Sequence, residues 1–209
     1  MPVCHEQKTL ITTPSGRLEL VMSCPQLAKT SEAIPYAVIC HPHPLYGGTM
    51  DNKVVYTLSK TLNALGAGTV RFNFRGVGKS SGKYADGEGE TQDLQAVVTW
   101  LNAEYAPRQL WIAGYSFGGY IALRGHQSLK AERLLLVAPA VERFTDMPNV
   151  EIPTLVIQGL QDEVLSVEAV TTWAQQQAPY CQLVEIDQAD HFFHRQLNEL
   201  RSIIEKWIV

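Results

Sequence analysis

Residues 110–123 read Leu110-Trp111-Ile112-Ala113-Gly114-Tyr115-Ser116-Phe117-Gly118-Gly119-Tyr120-Ile121-Ala122-Leu123: an apolar β-prone run, a glycine-bracketed serine and a helix-prone segment in immediate succession. A chain that passes from strand to helix through one residue must turn sharply, and only minimal side chains fit two positions before and after the turn. Gly114 and Gly118 occupy those positions. The turn lifts the Ser116 hydroxyl above the sheet at a helix N-terminus, where the Phe117 amide and the helix dipole favour a developing oxyanion. The bland alternative is a glycine-rich turn carrying an ordinary serine. The five-residue pattern alone is only suggestive; the strand before it and the helix after it favour a nucleophile.

Outward from this point, helical and strand patterns alternate. Upstream, strand Tyr36 to Cys40 is a short apolar run of the kind buried on both faces, followed by helix Asn52 to Leu65, strand Thr69 to Phe74 and helix Glu90 to Glu104. The serine follows strand Gln109 to Gly114 and precedes helix Gly118 to Gln127. Downstream come strands Arg133 to Val137 and Thr154 to Gly159, helix Val167 to Gln177, strand Gln182 to Ile186 and a last helix from Phe193 to Ile208. Such alternation marks βαβ units. Residues 8–23 instead hold two β-rich runs broken by Pro14-Ser15-Gly16, which suits an antiparallel hairpin at the sheet edge, and a polar loop lies near Lys29 to Glu32. The expectation is an α/β fold with eight strands, six of them parallel, helices on both faces, and ligands gathered outside the strands' carboxyl ends.

No repeat or linker divides residues 1–209, so a single domain is expected, and a domain this size buries roughly 70% of its unfolded surface. With 45% hydrophobic and 18% charged residues, the composition excludes collagen, coiled coil and wholesale disorder. A net charge of −4 without a Lys/Arg cluster removes the electrostatic reason for a nucleic-acid or anionic-membrane partner; a small-molecule substrate fits, and a homo-oligomer is left open. The N-terminus does not read as a secretory signal, and no 18-residue apolar stretch occurs. Cys4, Cys24, Cys40 and Cys181 are scattered without zinc-like spacing and read as reduced thiols in a cytoplasmic protein.

A serine at its free pKa needs a histidine to take its proton and a carboxylate to orient that histidine. His191 follows strand QLVEI by a short polar loop and lies just beyond a strand's carboxyl end. His194 would fall in the first turn of the last helix and would have to point back to serve; His5 lies in the N-terminal tail and His126 near a helix end. Asp162, in GLQDEVL, follows strand TLVIQG; Glu163 is its rival, and a plain turn or N-cap role is the competing reading. The order Ser116, Asp162, His191 is one of the known arrangements of such a triad.

The loop after the early strand, HPHPLYGG from His41 to Gly48, is expected to give a second oxyanion donor. Pro42 and Pro44 have no amide hydrogen, so the candidates are the amides of His43 and Leu45, with His43 favoured. Alternatively, His41 and His43 with His191 or His194 could bind a metal, although the prolines and the lack of nearby carboxylates weaken that reading. His41 is expected to be a hydrogen-bonded structural residue. Asn73 to Gly82 contains GKS after a strand, but Asn73 stands where a phosphate-binding loop needs glycine, so the segment reads as a tight loop on the site's side.

Taken together, HPHPLYGG, FNFRGVGKSSG, GYSFGG, GLQDEV and ADHFF resemble the α/β-hydrolase superfamily over essentially the whole chain, in the family's order. The likeness is greatest to small bacterial members of unassigned substrate with a YGGTMDNKVV-like segment, here Tyr46 to Val55; dienelactone-hydrolase-like enzymes are similar but carry cysteine where Ser116 stands. The resemblance implies Ser116 as nucleophile, Asp162 as acid, His191 as base and the Phe117 and His43 amides as oxyanion donors, while Pro42 departs from the glycine usual in that loop. Members with a lid insert it after the strand matching Leu134 to Val137, where Ala140 to Pro153 leaves no room for a cap domain. An open site follows, with Leu45, Tyr46, Phe117, Val164 and Phe192 as its expected apolar wall. The expected activity is cofactor-free hydrolysis of an ester, thioester or small amide; the rivals are a metal-dependent hydrolase using His41 and His43, or a binding protein that keeps the fold without catalysis.

Overall fold

The computed structural model describes residues 6–24, 34–144 and 147–208. His5, Cys4 and the polar loop from Lys29 to Glu32 lie outside them. Eight strands form one sheet: β1 (Gln7–Thr13), β2 (Gly16–Ser23), β3 (Pro35–Cys40), β4 (Gly68–Phe72), β5 (Gln109–Tyr115), β6 (Arg133–Val137), β7 (Thr154–Gly159) and β8 (Cys181–Ile186). Five helices connect or follow them: α1 (Lys53–Ala64), α2 (Glu88–Tyr105), α3 (Phe117–Gly125), α4 (Val167–Gln176) and α5 (Leu197–Ile208).

The strand order is β1-β2-β4-β3-β5-β6-β7-β8. β1 and β2 form the antiparallel hairpin, with Gly16 at φ +124° in its turn, and β2 pairs antiparallel with β4. From β4 to β8 every neighbouring pair is parallel. The chain leaves β3 through α1 to β4 on one side, then returns through α2 to β5 on the other. That reversal opens a crevice between the carboxyl ends of β3 and β5, the place where open α/β sheets bind ligands.

Alternate residues of the central strands feed two separate cores, as period-two side-chain geometry requires. Val38, Val70, Ile112, Leu134 and Val156 pack on one face beneath α2, α3 and α4; Ala37, Ile39, Ala113, Leu135 and Ile157 pack on the other beneath α1 and α5. Burial on both faces accounts for the continuous apolar runs in these strands. Among the described residues no separate cap domain covers the carboxyl end of the sheet. Among the described residues no helix is long and apolar enough to cross a membrane, and Cys40 and Cys181 are free thiols.

Several boundaries differ from the sequence expectation, most of them by one or two residues. β5 runs one residue further and α3 begins at Phe117, so Ser116 alone makes the turn. α2 starts at Glu88, because the buried Glu90 carboxylate accepts the amides of Ala85 and Gly87 and sets the first turn earlier. The last helix begins at Leu197 rather than Phe193: Phe193 and Arg195 adopt positive φ (+54° and +61°), which no α-helix accommodates, and turns fill the interval.

Candidate active site

Ser116 sits at φ +56°, ψ −117°, a region that costs an L-residue about 1–3 kcal/mol. Its surroundings enforce that conformation. The Ser116 amide donates to the Val137 carbonyl at 2.9 Å, and the Ser116 carbonyl accepts from the amides of Gly119 (2.9 Å) and Ala140 (3.2 Å). A Cβ on Gly114 would lie 2.1 Å from the Gly118 carbonyl oxygen, and one on Gly118 would lie 2.2 Å from that of Cys40. Both glycines are therefore steric necessities, and the second holds the turn against the end of β3.

His191 reaches this turn from the loop after β8. Its Nδ1 lies 2.7 Å from Asp162 Oδ2 and its Nε2 3.2 Å from Ser116 Oγ. Because a carboxylate can only accept, Nδ1 carries the proton and Nε2 is left free to accept from the serine hydroxyl. The Asp162 side chain is fully enclosed, and its Oδ1 accepts the amides of Val164 and Leu165 at 2.8 Å each. Asp162 is thus both a turn-former and the partner of His191, and the two readings of it are compatible. Burial raises its carboxyl pKa, but the His191 hydrogen bond and the Leu165 and Val164 amides outweigh burial and hold it below the ordinary carboxylate value. Glu163 is exposed. His194 lies in a turn, with Nδ1 2.6 Å from Asp190 Oδ2, and takes no part.

On the opposite side, the loop after β3 is braced by His41. The ring is fully buried; its Nε2 accepts the Phe74 amide at 3.0 Å, so its Nδ1 must donate to the Pro42 carbonyl at 2.6 Å. Burial lowers its pKa to about 4, which keeps it neutral. With both nitrogens committed to backbone, His41 has no lone pair for a metal, and the His41/His43 ligand pair is not assembled. Among the described residues, no group of three or more His, Cys, Asp or Glu side chains is placed to hold an ion. The Leu45 amide donates to His43 Nδ1 at 3.2 Å, which removes it as an oxyanion donor. The amides of Phe117 and His43 have no acceptor among the described residues.

A cleft of about 470 Å³ opens beside Ser116, lined by His43, Tyr46, Phe117, Arg143, Phe144 and Val164 among others. Tyr46, Phe117 and Val164 stand where the sequence places them. Leu45, exposed in the turn at Pro44–Tyr46, is not among its lining residues. Phe192 turns away into a separate groove with Asn52, Lys53 and Tyr115. Arg143 and Phe144 escape a reading that treats Ala140 to Pro153 as a bare connection. Phe144 stacks on Tyr120 at 3.5 Å between ring centroids, which ties this wall to α3. Tyr115, also missed, donates its hydroxyl to the His191 carbonyl at 2.8 Å; burial and the nearby Asp162 and Asp190 raise its pKa, so it remains a donor.

The segment from Asn73 to Gly82 is spent on structure. The Ser80 hydroxyl donates to the Asn73 carbonyl at 2.7 Å and accepts the Glu19 amide at 2.9 Å, and the Lys79 amide donates to Glu19 Oε2 at 2.9 Å. These bonds fasten the loop to β2 and leave no nest for phosphate.

Residues 38–206 match the family model described as an alpha/beta hydrolase domain. The chain is 35% identical to an uncharacterized protein of Rickettsia prowazekii over 94% of its own length and 86% of that protein's. Among solved structures it is similar to an α/β serine hydrolase without a lid from Xanthomonas campestris, with a TM-score of 0.91 and 35% identity, covering 98% of this chain and 94% of that one. It is similar also to an α/β serine hydrolase homologue from Coxiella burnetii, with a TM-score of 0.90 and 43% identity over 97% of each chain.

Proposed function

Since the chain belongs to the α/β-hydrolase family, we propose that it is a cytoplasmic serine hydrolase that cleaves small carboxylic esters, with thioesters and small amides as further substrates, through an acyl-Ser116 intermediate. The observation that carries this reading is the hydrogen-bonded chain from Ser116 through His191 to Asp162 at the edge of an apolar cleft.

His191 Nε2 takes the Ser116 proton as Oγ attacks the substrate carbonyl, and Asp162 stabilises the imidazolium that results. The negative charge of the tetrahedral intermediate faces the Phe117 and His43 amides, which have no other acceptor to abandon. His191 then gives its proton to the leaving group, and the acyl group stays on Ser116. Water, deprotonated by the same nitrogen, attacks the acyl-serine; collapse releases the acid and restores the hydroxyl. None of these steps calls for a cofactor, and the open cleft with aromatic walls suits a small apolar acyl group.

The test is intact-protein mass after incubation with a fluorophosphonate probe, comparing wild type with Ser116→Ala and His191→Ala, each with and without EDTA. One adduct on wild type, absent from both variants and indifferent to EDTA, is expected. Folded wild type that takes up no probe would overturn the proposal.

A further inference from the structure

We propose that Gln158 is a positioning residue for the Asp162–His191 pair, retained for its amide proton at a cost to the packing of the strand that carries it. This rests on the assignment of Asp162 and His191 made above. Gln158 closes the apolar run of β7, Thr154-Leu155-Val156-Ile157-Gln158, and is fully buried. Its Nε2 lies 3.1 Å from Asp162 Oδ2 and 3.1 Å from the Gly159 carbonyl oxygen. Both neighbours are acceptors, so the amide orientation is forced: the NH₂ faces them and the side-chain carbonyl points away. That carbonyl oxygen, Oε1, is buried and has no partner among the described residues.

An amide in an apolar interior with half its hydrogen-bonding capacity unmet is a poor filler, and a leucine of similar volume would fit the strand pattern better. What leucine cannot do is donate to Oδ2. Asp162 is held at four points: the Val164 and Leu165 amides on Oδ1, and His191 and Gln158 on Oδ2. Without Gln158, the only donor left on Oδ2 among the described residues is the imidazole that Oδ2 is meant to orient. Oδ1 stays on its two amides, but Oδ2 can then shift with the ring, and the 3.2 Å approach of Nε2 to Ser116 loses one of its fixed references.

Two variants test this. Gln158→Leu removes the donor and the orphan carbonyl together. It is expected to keep or raise the melting temperature while kcat for a p-nitrophenyl ester falls roughly ten- to hundredfold, as for loss of one hydrogen bond to a charged group, with KM within about twofold of wild type. Gln158→Glu preserves shape. Burial and the adjacent Asp162 keep its carboxyl protonated to higher pH than usual, so it donates the same bond when protonated and repels Oδ2 when ionised. The other ionisable groups about this point are His191, Tyr115, Asp190 with its partner His194, and Glu185, which lies beside Gln158 in the sheet and accepts from Thr171. All of them are present in wild type as well. The expected signature is near-normal kcat at the acid side of the working range, with a fall toward alkaline pH where wild type stays level.

A Gln158→Leu protein with wild-type kcat overturns the inference, as does one whose loss of activity tracks a lowered melting temperature, or a Gln158→Glu profile without the alkaline fall. Ser116→Ala run alongside separates the two levels of the argument. If Ser116→Ala is dead while Gln158→Leu is normal, only the role of Gln158 fails; if Ser116→Ala still turns over, the assignment of the nucleophile fails first.

Discussion

Acidification should weaken this protein through one histidine far more than through an average surface group. His41 is fully buried, and protonation would place a second N–H against the Phe74 amide that now donates to Nε2 at 3.0 Å. The folded-state pKa lies at about 4 against an ordinary 6.5, and at about 1.4 kcal/mol per pH unit the gap corresponds to about 3 kcal/mol. The sign follows from which state binds the proton. Between pH 6.5 and 4 the unfolded chain is protonated at this position and the native chain is not, so stability is complete above 6.5 and drains away as pH falls. The assay is urea unfolding of wild type and His41→Gln at half-unit steps from pH 7.5 to 4. Glutamine offers an acceptor to the Phe74 amide but takes up no proton. The variant should therefore be weaker at pH 7.5 and converge on wild type by about 3 kcal/mol at pH 4, because every other titrating group, buried His126 included, cancels in the difference. Two parallel curves would refute the reasoning.

Ser116→Ala and Ser116→Gly should both lower kcat/KM by about 10⁴, yet the glycine variant should resist urea better by about 1 kcal/mol, because it relieves the strain at φ +56°; equal midpoints would remove strain from the account. Asp162→Asn should cut kcat by roughly 10³–10⁴ in a pH-rate assay, since an amide cannot fix the Nδ1–H tautomer of His191 while its own NH₂ competes. Phe144→Ala, which strips the ring stacked on Tyr120 from the cleft wall, should raise KM about tenfold for butyryl or longer esters and leave acetyl esters nearly unchanged. An equal change across chain lengths would move the acyl site elsewhere.

The parts of this molecule that were legible from sequence are those in which one local pattern dictates one geometry. GxSxG between a strand and a helix permits a single conformation, and the contacts a Cβ would make at Gly114 and Gly118 explain why. Asp162 and His191 could be named because the fold places strand ends at one edge, so a loop residue just past a strand is close to the others by topology. The start of the last helix was not legible, because the apolar pair Phe192-Phe193 mimics a helix face while positive φ at Phe193 breaks it. Side-chain direction in a short turn was beyond reach too: Leu45 and Tyr46 are adjacent and both exposed, yet only Tyr46 borders the cleft. Tyr115 acts on a residue 76 positions away, a partner that exists only in three dimensions, and the Gln158 contact four residues along depends on the turn after β7. The one sign that sequence offered for Gln158 was a glutamine inside an otherwise apolar strand.

The working groups hang from four strands, β3, β5, β7 and β8, and β8 is the outermost of them, on an open flank of the sheet. His191 and Ser116 are separated by 75 residues of chain, and no pair of neighbouring segments holds enough of the constellation to act alone. Turnover therefore reports on the assembly of all four strands together. During refolding, ester hydrolysis should recover no earlier than the complete sheet, since it needs Ser116 and His191, 75 residues apart, in place together. Partial fraying of the β8 flank would silence the protein while most of its core remained intact, with the Tyr115 hydroxyl on the His191 carbonyl as the latch that resists it.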